Sequence, residues 1–217
     1  MMVALLMVGG LALTGWIIYV AVQAEKKRKE ALKLACQMMG FAWEDSAPAD
    51  TLGEFALFRM GRGSKAECVS RGQLGGRPAT IAEYGYVIST GKSSHKVNQT
   101  VVAFTAGDSG LPDFDLSPEN VFHKLANVFG YQDIDFERFE EFSKRYLLRG
   151  QDEAAIRSAF TPDALMLLQS NPGWTVQSKN GRLLVFRAGK TTKPAELPIF
   201  AADALRIAGA LSLRVPS

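Results

Sequence analysis

Acid–base catalysis needs carboxylates or imidazoles held close together, and this chain offers few such groupings. Asp133, Asp135, Glu137, Glu140 and Glu141 are its densest acidic cluster. They alternate with Ile134, Phe136 and Phe139, as the solvent face of a strand or turn does, so a paired catalytic centre is not indicated. His95 lies in a polar stretch and His123 beside Phe122, and neither has a second ligand at metal spacing. Cys36 and Cys68 form no C-x-x-C pair. On a helical and a strand-like stretch respectively, they are expected to stay reduced and to pack as small apolar residues.

The glycine motifs fare no better. Gly61-Arg62-Gly63-Ser64-Lys65-Ala66 matches the dinucleotide fingerprint, but that site needs a helix to begin there, and Glu67-Cys68-Val69-Ser70 reads as strand. Gly91-Lys92-Ser93 resembles the end of a phosphate-binding loop, yet Tyr86 stands where the first glycine should be. A basic hairpin tip is the simpler reading. Ser93 and Lys96 have the spacing of a penicillin-binding serine and lysine without the partner motifs. No cofactor, metal or catalytic residue is therefore assigned. Tyr84 and Tyr86 share one face of a strand. They are either an exposed interaction face or part of the sheet packing.

The elements that would position these residues read as α+β. Cys68–Leu74, Ala79–Thr90 and His95–Thr105 form an antiparallel meander, its first turn at Gly75-Gly76. Phe55–Phe58 starts this β-rich stretch, and Glu44–Asp50 reads as a loop. Leu111–Leu116 is extended, and Ser117-Pro118 then predicts a helix start, with Val121, Phe122, Leu125 and Phe129 on its buried face. Ile134 and Phe136 suggest a half-buried strand, and 145–149 another. Two short helices follow at 151–159 and 161–170, the second capped by Thr161-Pro162. Asn180-Gly181 marks a hairpin between Trp174–Gln177 and Leu183–Phe186. A last helix spans about 197–213.

The strongest signal lies at the start. Residues 1–24 carry no charge, and Glu25-Lys26-Lys27-Arg28-Lys29 follows at once. At about 1.5 Å per residue, 24 helical residues reach roughly 36 Å, more than the ~30 Å hydrocarbon core of a bilayer. A cleaved signal peptide is the rival, with Val22-Gln23-Ala24 as its cleavage site. The missing basic n-region and the cations after the run favour a retained anchor with its N-terminus outside and the rest cytoplasmic. Lys26, Lys27, Arg28 and Lys29 would then contact the membrane surface. Gly9, Gly10 and Gly15 could admit a second helix and a homo-oligomer. The helix continues through 25–40, where Ala31, Leu34, Ala35, Met38 and Met39 make one apolar face and Gly40 ends it. Residues 41–217 form one α+β domain, or two that meet near 107–117.

The net charge of +3 conceals an uneven distribution. Residues 59–97 hold seven Lys/Arg against two acids, and 107–141 hold nine acids against two bases. Such blocks can pair on folding or present a basic face to an anionic leaflet. A nucleic-acid role is not expected, because the basic run abuts the apolar segment.

The order of features resembles a group of uncharacterised bacterial single-pass membrane-anchored proteins. The likeness is carried by the N-terminal span with its basic run, Phe55-Ala56-Leu57-Phe58-Arg59, Gly72, Gly75-Gly76-Arg77-Pro78 and Glu83-Tyr84-Gly85-Tyr86. It continues through Gly91-Lys92, Gln99-Thr100-Val101, Asp133-Ile134-Asp135-Phe136-Glu137 and Phe142-Ser143, with Arg145-Tyr146. It implies a location in the bacterial inner membrane and no particular activity. The expected function is a membrane-tethered cytoplasmic binding or scaffold module for a protein or the lipid bilayer. The alternative is a membrane-associated enzyme whose site assembles from scattered residues.

Overall fold

Two glycine-bearing turns organise the sheet. Gly75-Gly76 (φ 55° and 77°) and Asn180-Gly181 (φ 50° and 68°) have positive φ at both central positions, as a two-residue hairpin turn of type I′ requires. The first joins β2 (Arg62–Leu74) to β3 (Arg77–Thr90), and β4 (Ser93–Thr105) completes the meander. The second joins β7 (Thr175–Lys179) to β8 (Arg182–Phe186). The computed structural model describes residues 2–91, 93–105, 110–119 and 133–211, with side chains from residue 15 onward apart from that of Thr90.

All described strands belong to one antiparallel sheet. With β1 (Ala42–Ala47), β5 (Phe114–Pro118) and β6 (Tyr146–Gly150), the order is β1-β2-β3-β4-β8-β7-β5-β6. Strands from both sides of residues 107–117 interleave, with β8 against β4 and β5 against β7. Period-two alternation gives each face its own core. Ile81, Val102, Phe104, Leu183 and Val185 point to the face covered by helices. Ala82, Tyr84, Tyr86, Val101, Leu184 and Phe186 point to the face closed by the 47–60 segment, through Leu52, Phe55 and Leu57.

The α-helices that lie wholly within the described residues are α1 (Met2–Met38), a short α2 (Glu140–Ser143), α3 (Glu153–Ala159), α4 (Pro162–Ser170) and α5 (Leu197–Leu211). Asp152 caps α3 by accepting from Ala155 N–H, and Thr161 caps α4 by accepting from Ala164 N–H, ahead of Pro162 at the first helical position. Gly40 (φ 81°) ends α1, with Phe41 N–H donating to Cys36 C=O at 3.0 Å, a Schellman-type closure.

Several expectations need correction. Residues 44–47, expected as part of a loop, belong to the edge strand β1. Ala-Trp-Glu-Asp-Ser-Ala lacks apolar alternation because an edge strand buries little, and only Ala47 is buried. Ser117-Pro118 closes a strand, Ser117 pairing with Leu147 and Pro118 with Tyr146, and the helical state begins only at Glu119, later than expected. The rest of the helix expected there, like His123, lies outside the described residues. Ile134 and Phe136 sit in a coil before a short helical turn, although Ile134 N–H still donates to Leu148 C=O at 2.8 Å. The buried stripe of α1 runs through Leu32 and Cys36, with Ala35 and Met39 at its margin. Leu34 and Met38 are exposed (58% and 79%), so the docked face is rotated from the expected one.

Among the described residues, no helix is long and apolar enough to cross a membrane. From Trp16 to Val22, the large apolar side chains of α1 are all exposed.

Candidate functional site

Within the basic run after the apolar segment, Arg28 and Lys29 turn toward the sheet. Glu25, Arg28, Lys29, Leu32 and Cys36 recur at helical spacing, and this stripe lies on the sheet. Glu83 of β3 points toward α1, at the alternation opposite to its buried neighbours Ala82 and Tyr84. Arg28 grips it bidentately, Nη1 to Oε1 at 2.6 Å and Nη2 to Oε2 at 2.7 Å. The same guanidinium donates to Glu25 from Nε at 2.9 Å and Nη2 at 2.8 Å. These hydrogen bonds raise the Arg28 pKa and hold the Glu25 carboxyl below its usual range.

A β-bulge supplies the second half of this latch. Between Glu67↔Glu83 and Ser70↔Ile81, β2 uses one more residue than β3. Cys68 occupies the irregular position at φ 53°, so Glu67 and Cys68 both turn toward α1. Glu67 then accepts from Lys65 at 2.7 Å and from Lys29 at 3.1 Å. The two cations, Lys65 foremost, hold its carboxyl down at about 2. Burial pushes the Cys68 thiol up to about 12, so it is an unreactive packing group, as is Cys36 under the helix.

Around the latch lies a cleft of about 570 Å³ between α1 and the β2–β3–β4 surface. Four bases (Arg28, Lys29, Lys65, Lys96) and three acids (Glu25, Glu67, Glu83) line it, together with Asn98 and Thr191. Its size is that of a small-ligand site, but its walls are charged instead of apolar. Lys96 has no ion-pair partner among the described residues, so one cation remains to meet a ligand.

The other predicted residues fall elsewhere. Lys26 and Lys27 are exposed on α1. Tyr84 and Tyr86 are buried, at 0% and 5% exposure, and so form no exposed interaction face. Tyr84 meets Phe58 edge-on and Tyr86 lies tilted against Tyr84, with Phe58 in turn edge-on to Phe55, under the 47–60 segment. His95 is exposed on β4 with its Nε2 3.2 Å from Ser93 Oγ. No cluster of three metal-binding side chains occurs among the described residues.

Sequence reasoning missed Asp115. It lies on β5 between Arg149 and Gln177 in the cross-strand register, on the floor of a cavity of about 140 Å³ walled by Phe55, Ala56 and Arg59. Burial lifts its carboxyl to about 7, against the hydrogen bond from Gln177 Nε2 at 2.5 Å. Gln177 Oε1 in turn accepts from Leu57 N–H at 3.1 Å. Asp113 beside it pairs with Lys179 at 2.5 Å. The only clue in the sequence was Asp115 between Phe114 and Leu116, an acid inside an apolar strand.

The arrangement defines an α+β domain with one eight-stranded antiparallel sheet and a long N-terminal helix clamped to it by ion pairs. No family model matches the chain, and no curated protein matches it. Among solved structures the fold is similar to the crystal structure of the mycobacterial trehalose monomycolate transport factor A, TtfA. The TM-score is 0.59 at 15% identity, covering 87% of this chain and 98% of that one. At that identity the likeness establishes the fold.

Proposed function

We propose that the protein is a binding module held at a membrane by its N-terminal helix, with the charged cleft beside that helix as its recognition site. The observation that carries this reading is the exposure of Trp16, Ile17, Ile18, Tyr19, Val20 and Val22 on a helix that continues unbroken into its docked half. Such a contiguous apolar surface on a monomer needs a partner, and the uncharged composition of residues 1–24 suits hydrocarbon. The likeness in fold to TtfA, a trehalose monomycolate transport factor, agrees with a lipid-associated role. The cation placement argues for an outside N-terminus and a cytoplasmic domain.

Alkaline carbonate extraction of membranes from cells making the full chain should leave it in the pellet. Release into the supernatant would end the tether reading. An alkaline phosphatase fused after Ser217 should be inactive, and activity would reverse the orientation.

An enzymatic reading has one observation in its favour, the near-neutral Asp115 in its cavity. No imidazole lines that cavity, and of its hydroxyl and amine groups, Ser178 and Lys179, the lysine is held by Asp113. A cellular phenotype abolished by Asp115→Asn but untouched by cleft substitutions would favour it.

A further inference from the structure

The contacts of α1 fix its direction over the sheet. Phe41 lies against Gly72, which pairs with Ala79, and the Cys36 thiol lies against Ser70, which pairs with Ile81. Arg28 holds Glu83, and Glu25 lines the same cleft as Gly85 and Asn98. Read backward from Phe41, the helix therefore climbs β3 through positions 79, 81, 83 and 85, toward the turn that joins β3 to β4. The apolar segment leaves the domain at that end.

The strand ends at this level are basic, beyond the cleft acids Glu25, Glu67 and Glu83. Residues 61–66 and 84–98 contain Arg62, Lys65, Lys92 and Lys96 with His95, and no Asp or Glu. Arg62, Lys65, His95 and Lys96 are exposed. Thr90↔Ser93 closes the hairpin, with Gly91 at φ 63°.

Lengths then decide what the hairpin meets. Beyond Glu83, β3 runs seven more residues, roughly 24 Å at ~3.4 Å each. Beyond Arg28, the uncharged part of α1 begins four residues on, roughly 6 Å. The hairpin thus overshoots the level at which the apolar segment starts. No hinge separates the helix halves, since α1 is continuous from Met2 to Met38 and is latched at Arg28 and Lys29.

Resting on the membrane-tether reading, we propose that the β3–β4 hairpin, with the start of β2, is a second membrane contact that takes anionic lipid headgroups through Arg62, Lys96 and their basic neighbours. Arg28 and Lys29 are spent on the latch that aims it. The helix supplies attachment, and the hairpin supplies a preference for acidic lipid and one fixed orientation of the domain.

The test uses the full chain in nanodiscs of phosphatidylcholine, with or without phosphatidylglycerol. Cys36 and Cys68 are buried and leave single engineered thiols addressable. A fluorophore at Ser94→Cys, on the hairpin, should be quenched by headgroup spin-labelled lipid in discs containing phosphatidylglycerol. One at Gln73→Cys, at the opposite end of β2, should not. Each cation near an acidic surface is worth ~1 kcal/mol, about a fivefold change in occupancy, so R62S/K96S should abolish the Ser94→Cys signal. A label at Tyr19→Cys should remain quenched by acyl-chain spin labels throughout. Quenching at position 19 without quenching at 94 overturns the hairpin contact and leaves the tether standing. Quenching at neither overturns both. Quenching at 94 that is equal in neutral discs, or unchanged in R62S/K96S, overturns the headgroup recognition.

Discussion

The two halves of α1 are built from the same backbone and answer to different surroundings. From Arg28 to Met38 one face is buried, through Leu32 and Cys36, while Leu34 and Met38 stay exposed, and Arg28 and Lys29 latch that face to the sheet. From Trp16 to Val22 apolar residues occupy every side and all are exposed. A helix with one apolar face is made for a protein surface, whereas one that is apolar all round needs a fully apolar environment. The boundary falls where Glu25 introduces the first charge. On the membrane-tether reading proposed above, one continuous element passes from one medium to the other, and its ion pairs set the angle at which the domain follows.

Truncating each half in turn should break this comparison most visibly. Leu32→Ala removes a side chain that is 3% exposed in the main core, and should cost about 2–5 kcal/mol in urea unfolding. Ile18→Ala should leave the unfolding midpoint of the domain unchanged. Equal losses from both would mean that the projecting half also packs on the domain.

The pH dependence separates the latch from the Asp115 cavity, because the two have opposite signs. Asp115 has a folded pKa of about 7, above its ordinary value, so the folded state binds the extra proton. Its contribution is complete below about pH 4 and is lost as pH rises toward 7. The groups facing it are Asp113, Lys179, Arg149, Arg59, Glu54 and Gln177. Asp115→Asn should therefore stabilise the domain at pH 8, by on the order of 2–3 kcal/mol, and change little at pH 4. Glu67, held at about 2, and Glu25, also lowered, stabilise above the ordinary carboxylate range and lose that as pH falls toward 2. A wild-type stability that rises steadily from pH 5 to 8 would contradict the Asp115 assignment.

Gly181→Val asks whether the docked half depends on the far side of the sheet. With φ 68°, position 181 strains a β-branched residue, at a cost of about 1–3 kcal/mol. Because β8 pairs with β4, which pairs with β3, the loss should appear in one cooperative transition with the latch. Two separate transitions would divide the sheet into independent units.

What was legible in the sequence follows the range of the interaction. Gly75-Gly76, Asn180-Gly181 and Thr161-Pro162 act over a few residues and read correctly. Ser117-Pro118 was placed a little too early as a helix start, because proline is equally at home at a strand end: the pair closes β5 against Leu147 and Tyr146, and the helical state begins at Glu119. Strand β1 was hidden because its pairing is backbone work at an edge. The latch was invisible, since Glu83 lies 55 residues from Arg28. So was the phase of the docked stripe: Leu34 and Met38 look as apolar as Leu32, and the ion pairs with the bulged strand select which face turns down. Asp115 needed the neighbouring strands before its burial could be known.

The smallest expected effect is the sharpest probe of the boundary itself. Lys26 and Lys27 stand beside Arg28 and Lys29 in one basic run, and nothing in the sequence separates the two pairs. Only the latter pair touches the sheet. Lys29 is 40% exposed and its partner Glu67 is shared with Lys65, so solvent screening leaves Lys29→Ala a cost of no more than about 1 kcal/mol. Lys26→Ala should lie within about 0.5 kcal/mol of the parent. The distinguishing measurement is salt: at high ionic strength the Lys29→Ala penalty should shrink toward zero, while the Lys26→Ala value stays where it was. In membranes the ranking should invert. Neutralising Lys26 and Lys27 removes charge free to hold the cytoplasmic side, so it should weaken the orientation preference more than Lys29→Ala does. If Lys29→Ala weakened orientation equally, its ammonium would be serving the lipid surface instead of Glu67, and the boundary between the two halves would lie further along the helix.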